Sequence, residues 1–232
     1  MEHDLRDINQ RSCQNIFEIM SINRIGEISN LAPRLIVPKY HGNSDDDRLS
    51  EQEARFLFAN VLNHSTLFYS IETPTKKLYS FSGKTERSAM TDLTIYKRIG
   101  ERFIPQVNVE FKAHNCTQSG INKDIEKLLR EDIPFGNWFH IFENADSATI
   151  KELMQKFAVA IDKVIPTGII SKKILFTVVV KDKGWACTKM FDCGDHMGLT
   201  ICADKFFTIV YHVEKGIIVV DNANGWEVIE NR

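Results

Sequence analysis

The sequence predicts an α/β domain, a mixed β-sheet flanked by helices, and three observations carry that expectation. Apolar residues recur at helical spacing in four separate segments. Between those segments lie stretches that alternate apolar with polar residues or stay apolar throughout, as strands do. The order is helix, several strands, helix, strand, helix, strand and a β-rich end, which suits one sheet covered by helices. With 232 residues the chain is long enough for one large domain or a core domain with an appendage.

Taken in order, "DLRDINQRSCQNIFEIMSINRIGEI" places Ile16, Ile19, Met20 and Ile22 to Ile28 at roughly helical intervals. A loop broken by Pro33 and Pro38 follows and ends in the acidic run Asp45 to Asp47. In "LSEQEARFLFANVLNHS" the residues Ala54, Leu57, Phe58, Val61 and Leu62 share one helix face, and Ser50 with Glu53 fits a capping box at its start. "STLFYSIETPTKKLYSFSG" reads as two strands around a turn at "ETPTKK". A hairpin around Gly100 spans residues 90–115. "SGINKDIEKLLREDIP" is a short helix with Ile121, Ile125, Leu128 and Leu129 on its apolar face, stopped by Pro134.

Next, "NWFHIFEN" is a strand whose Trp138, Phe139 and Phe142 are assigned to the core rather than to base stacking. "SATIKELMQKFAVAIDKVIP" is a long helix striped by Ile150, Leu153, Met154, Phe157, Ile161 and Val164. "KKILFTVVVKD" has the apolar middle of a buried central strand. A last hairpin, "FFTIVYHVEKGIIVVDN", turns at Glu214, Lys215 and Gly216. The organisation expected is an N-terminal helical segment and loop over 1–48, an α/β core over 49–182, and a β-rich extension over 183–232 packed on that core.

The totals exclude little. A net charge of -2 gives no global pull towards nucleic acid, although a local basic patch can coexist with an acidic centre. No apolar run approaches the ~20 residues that span a membrane, and the polar N-terminus resembles no targeting peptide, so a cytoplasmic protein is expected. Five cysteines, an odd number without a secretion signal, argue for reduced thiols. Cys187, Cys193, His196 and Cys202 have a spacing that matches no usual zinc pattern.

Chemistry concentrates in the hairpin. Val107, Val109 and Phe111 share one strand face, and Asn108, Glu110 and Lys112 share the other. A three-residue loop of Gly100, Glu101 and Arg102 would pair Ile99 with Phe103 and bring Asp92 opposite Glu110, with Cβ atoms roughly 4.5–5.5 Å apart. Two carboxylates so placed repel unless a cation lies between them, and a hard divalent cation suits the pair. Lys112, about 7 Å further along the same face, would hold a water or neutralise charge on a phosphate. The plain alternative for "VEFK" is the wet outer face of an antiparallel sheet.

Asp92, then "VEFK" with Glu110 and Lys112, then the helix "INKDIEKLLRE", resembles the PD-(D/E)XK nuclease superfamily, the restriction-endonuclease-like fold. The proline of that name is absent here, since Thr91 precedes Asp92. The family's order of helix, three strands, helix and strand corresponds to residues 50–143, somewhat under half the chain. The resemblance implies Asp92 and Glu110 as ligands of Mg²⁺ or Mn²⁺ and Lys112 as the catalytic lysine. It also implies a glutamate on the preceding helix, for which Glu53 is the candidate with Glu51 behind it.

Lys123 and Lys127, one helical turn apart, are candidate phosphate contacts, against the plain reading of a solvated helix face. His114 reads as an exposed loop residue. The function expected is metal-dependent hydrolysis of phosphodiester bonds, in DNA before RNA. The alternatives are a non-catalytic nucleic-acid-binding or assembly subunit of the same fold, and a protein-interaction or sensor domain that binds no nucleic acid. Either terminal section could serve target recognition or dimerisation, so a homo-oligomer stays open. Repulsion between Asp92 and Glu110 further predicts that removing either carboxylate leaves the fold intact or slightly stabilised.

Overall fold

The computed structural model of the chain describes residues 1–25, 35–38, 49–80, 85–164, 172–193 and 225–230. The acidic run Asp45 to Asp47, the last predicted hairpin, His196 and Cys202 lie outside the described residues. Among the described residues four α-helices and seven strands follow in the order α1 (Glu2–Ile25), α2 (Glu51–Asn63), β1 (Phe68–Tyr79), β2 (Arg87–Ile99), β3 (Arg102–Ala113), α3 (Gln118–Arg130), β4 (Phe135–Phe142), α4 (Ser147–Val164), β5 (Lys173–Val180), β6 (Trp185–Asp192) and β7 (Glu227–Glu230).

All seven strands form one sheet whose spatial order is the chain order. β1 to β3 run antiparallel, β3 to β5 parallel, and β5 to β7 antiparallel again. The mixed α/β class is therefore as the sequence predicts. Parallel neighbours need crossovers, and α3 and α4 supply them. After residue 183, β6 and β7 continue the same sheet, with Lys173 to Val180 paired against Asp192 to Trp185.

Strand alternation sorts side chains into two cores. Leu93, Ile95, Val107, Val109, Phe111, Phe139 and Ile141 point towards α1 and α2. Trp138, Phe142, Phe176, Val178 and Val180 point towards α3 and α4. Glu110 and Lys112 alternate with Val109 and Phe111, so they face the α3 side. Gly136 lets α3 lie close to the sheet there, because a Cβ at that position would stand 3.2 Å from the Leu128 Cβ. On the opposite face α1 is pinned by a buried amide pair, in which Asn9 and Asn137 each donate to the other at 2.9 Å, while Asn9 also donates to Thr177 Oγ1 at 2.7 Å. Among the described residues no helix is long and apolar enough to cross a membrane.

Two local expectations are corrected. "ETPTKK" is no turn: β1 runs through it as one strand whose register against β2 shifts between Pro74 and Leu78. The displaced backbone is satisfied from afar. Lys76 N and Lys77 N donate to the Glu131 carboxylate at 2.9 and 3.0 Å, and Tyr79 Oη donates to Glu131 Oε1 at 2.9 Å. The β2–β3 hairpin turns in two residues, with Ile99 paired to Arg102 rather than to Phe103. Gln106 then bulges between the pairs Tyr96–Pro105 and Ile95–Val107, which restores the Leu93–Val109 register. Asp92 still falls across from Glu110, through a shorter turn and a bulge that cancel.

Candidate functional site

Glu110 lies 1 % exposed against α3, where the Lys127 ammonium reaches its Oε1 at 2.7 Å and donates to its Oε2 at 2.8 Å. The same ammonium meets Asp124 Oδ1 at 2.9 Å and the Met90 carbonyl at 2.9 Å. The other oxygen of Asp124, Oδ2, holds the Lys112 ammonium at 2.8 Å. Lys112 also stands 3.9 Å from Glu51 Oε1, which accepts a hydrogen bond from Ala113 N at 3.3 Å. Asp92, half-buried, accepts from Phe111 N at 2.8 Å, a bond across the hairpin. Arg55 on α2 donates to the Asp92 carbonyl at 3.4 Å and pairs with Glu72. Four carboxylates (Glu51, Asp92, Glu110, Asp124) thus meet two ammonium groups.

That imbalance shows in the acidities. Burial, then the nearby Asp124 charge, pushes Glu110 well above the ordinary glutamate range. Burial also raises Asp92, against the Phe111 N–H bond and the charges of Lys112 and Lys127. For Lys112, burial pulls down but the charge and hydrogen bond of Asp124 outweigh it, so the amine is held above its usual value. Lys127 is likewise raised by Glu110 and Asp124 against its burial. Both lysines are cations at neutral pH.

The structure brings Asp92, Glu110 and Lys112 together. Lys127 joins them as a buried counter-ion, so it is not on a solvated helix face, whereas Lys123 is exposed on α3. Glu53 spends its carboxylate on the capping box, accepting from Ser50 N at 2.9 Å. Glu51, rather than Glu53, is the α2 glutamate that points at the C-terminal end of β3. Asp124 is not among the residues expected from the sequence, though its signal is legible: an acidic residue within the apolar face formed by Ile121, Ile125 and Leu128. His114 is half-buried with a left-handed φ of 58° rather than an exposed loop residue. Cys187 and Cys193 are buried, and burial pushes the Cys193 thiol up to about 12.

His140 pairs with Lys112 across β3 and β4 and lies fully buried, its Nε2 2.9 Å from the His114 carbonyl. Burial pulls its pKa down to about 3, so the ring is neutral. The unfolded chain takes up that proton near pH 6.5 and the folded chain does not. Stability present above pH 6.5 is therefore lost as pH falls towards 3. Between pH 7 and 4 the wild type is expected to lose about 3 kcal/mol more than His140→Leu in urea unfolding. Equal losses would overturn this assignment.

Among the described residues no three carboxylate, imidazole or thiol groups converge as a ready-made metal cage. The carboxylates of Asp92, Glu110 and Asp124 supply the oxygen donors a hard cation takes, and Glu110 Oε1 is buried without an aligned hydrogen bond, although the Lys127 ammonium stands 2.7 Å from it. Compared with known protein families, characterised proteins and solved structures, the chain matches none.

Proposed function

We propose that this chain is a divalent-cation-dependent nuclease hydrolysing phosphodiester bonds, in DNA before RNA. The observation that carries the reading is the meeting of Asp92, Glu110 and Lys112 on one hairpin face, with more carboxylate charge than the two lysines offset. Asp92 and Glu110 would hold Mg²⁺ or Mn²⁺, with Glu51 at the rim. A bound cation of that kind polarises phosphate oxygens and makes water more acidic. Lys112, kept protonated by Asp124, acts by offsetting charge that develops on the phosphoryl group, not as a base. Asp124 positions that ammonium, and the Phe111 N–H fixes the Asp92 rotamer.

A second reading, a non-catalytic nucleic-acid-binding or assembly subunit, is favoured by one observation: Lys127 already neutralises Glu110. The test is incubation with supercoiled plasmid and with single-stranded RNA in Mg²⁺, Mn²⁺ or EDTA. Cleavage that EDTA stops and that Lys112→Met lowers by about 10²–10³-fold is the expected result. Salt-sensitive binding without cleavage in either metal would give the second reading instead. Neither binding nor cleavage would overturn both.

A further inference from the structure

Lys127 has an unusual coordination for a lysine. Four oxygens surround its nitrogen within 2.9 Å: both of Glu110, one of Asp124 and the Met90 carbonyl. An ammonium has three protons, so one oxygen is left over, and Glu110 Oε1 is the one without an aligned hydrogen bond. Two carboxylates and a backbone carbonyl form the oxygen shell that a hard divalent cation takes. The lysine occupies the seat such an ion would need.

We infer that the Lys127 ammonium is a built-in stand-in for the metal: it holds Glu110, with Asp124 beside it, until a divalent cation binds Glu110 together with Asp92, and then withdraws. The inference rests on the metal-dependent reading above. A divalent cation bound to Glu110 would stand close beside the Lys127 ammonium, which lies 2.7 Å from the same carboxylate, and the like charges repel, so cation binding is coupled to expulsion of the lysine. The way out is short. Met90, whose carbonyl is one of the ligands, is 50 % exposed, and the flexible lysine stem can stay packed while its head moves into water. Asp124 gains a role in this exchange, since releasing Lys127 frees its Oδ1 while Oδ2 keeps Lys112 in place. The lysine thus keeps the carboxylates from being left buried and unpaired whenever the cation is absent, and it lowers the apparent metal affinity in doing so.

Two measurements test this. Mn²⁺ is titrated calorimetrically into wild type and Lys127→Met, and wild-type lysines are acetylated with and without Mn²⁺ and mapped by mass spectrometry, with exposed Lys123 as the internal control. The expected results are binding about tenfold or more tighter in Lys127→Met, and acetylation of Lys127 that rises several-fold with Mn²⁺ while Lys123 stays unchanged. If wild type binds Mn²⁺ without any rise in Lys127 labelling, the exchange is wrong and the metal site stands. If neither protein binds Mn²⁺, the metal reading falls and the inference with it. Binding by Lys127→Met alone supports the exchange, and a Lys127→Met protein that fails to fold leaves the wild-type labelling to decide.

Discussion

Glu110→Ala and Asp92→Asn are expected to abolish phosphodiester cleavage alike, each by on the order of 10³-fold, while moving stability in different directions. Glu110 is the main counter-charge of a buried ammonium. Removing it leaves Lys127 with Asp124 and the Met90 carbonyl only, a half-broken buried pair that costs roughly 3 kcal/mol. Asp92 has no ammonium of its own and is raised by burial. An asparagine keeps an oxygen for the Phe111 N–H and removes a charge that burial already disfavours, so stability should stay level or rise by up to about 1 kcal/mol. Urea unfolding at pH 7, run beside a plasmid-nicking assay, separates the two effects. Equal losses of stability would mean that Asp92 too is compensated. The simple repulsion argument, which expects both substitutions to leave the fold intact or stabilised, does not count the ion pair of Glu110 with Lys127.

Glu131→Ala should be the most damaging substitution away from the site. Its carboxylate accepts from Lys76 N, Lys77 N and Tyr79 Oη, three donors that the irregular part of β1 cannot satisfy within the ladder. Glu131 and Tyr79 are buried, at 4 % and 1 % exposure, so water replaces these bonds poorly. At about 1–3 kcal/mol for each orphaned donor, a loss of roughly 4 kcal/mol is expected, and Glu131→Gln should recover part of it. Unfolding midpoints measure the loss, and faster amide exchange at Lys76 and Lys77 locates it. A loss below about 1 kcal/mol would mean that the strand reseats itself without Glu131. The damage should also reach the site, because Pro74 pairs with Met90, whose carbonyl holds Lys127.

What could be read from the sequence divides along local and distant causes. Helix α2 with its Ser50–Glu53 capping box, the apolar stripes of α3 and α4, and the burial of Trp138, Phe139 and Phe142 depend on periodicity and near neighbours, and the structure has them. The course of β1 is not legible in the sequence, because "ETPTKK" carries the local marks of a turn. What straightens it is Glu131, 54 and 55 residues further on from the two lysine amides it accepts. Lys127 and Lys123 look equivalent by spacing, yet only Lys127 lies beside Asp124 on the buried side, a matter of how α3 docks on β3. Glu53 and Glu51 differ likewise. A capping box claims the first, and the second is free to point at Ala113 only because α2 starts beside the end of β3.

The bulge at Gln106 has a consequence for how this protein can vary and be engineered. It breaks the β2–β3 ladder into a length near the site, held in step by Leu93–Val109 and Ile95–Val107, and an outer length whose step is set by its own turn. The Gly100–Glu101 tip can therefore change without shifting the pairs nearer the site, while Tyr96 and Phe103 stay tied to Phe68 of β1. Residues can be gained or lost at that tip, or an epitope or fluorophore loop grafted there, while the carboxylates and the lysine further down keep their aim.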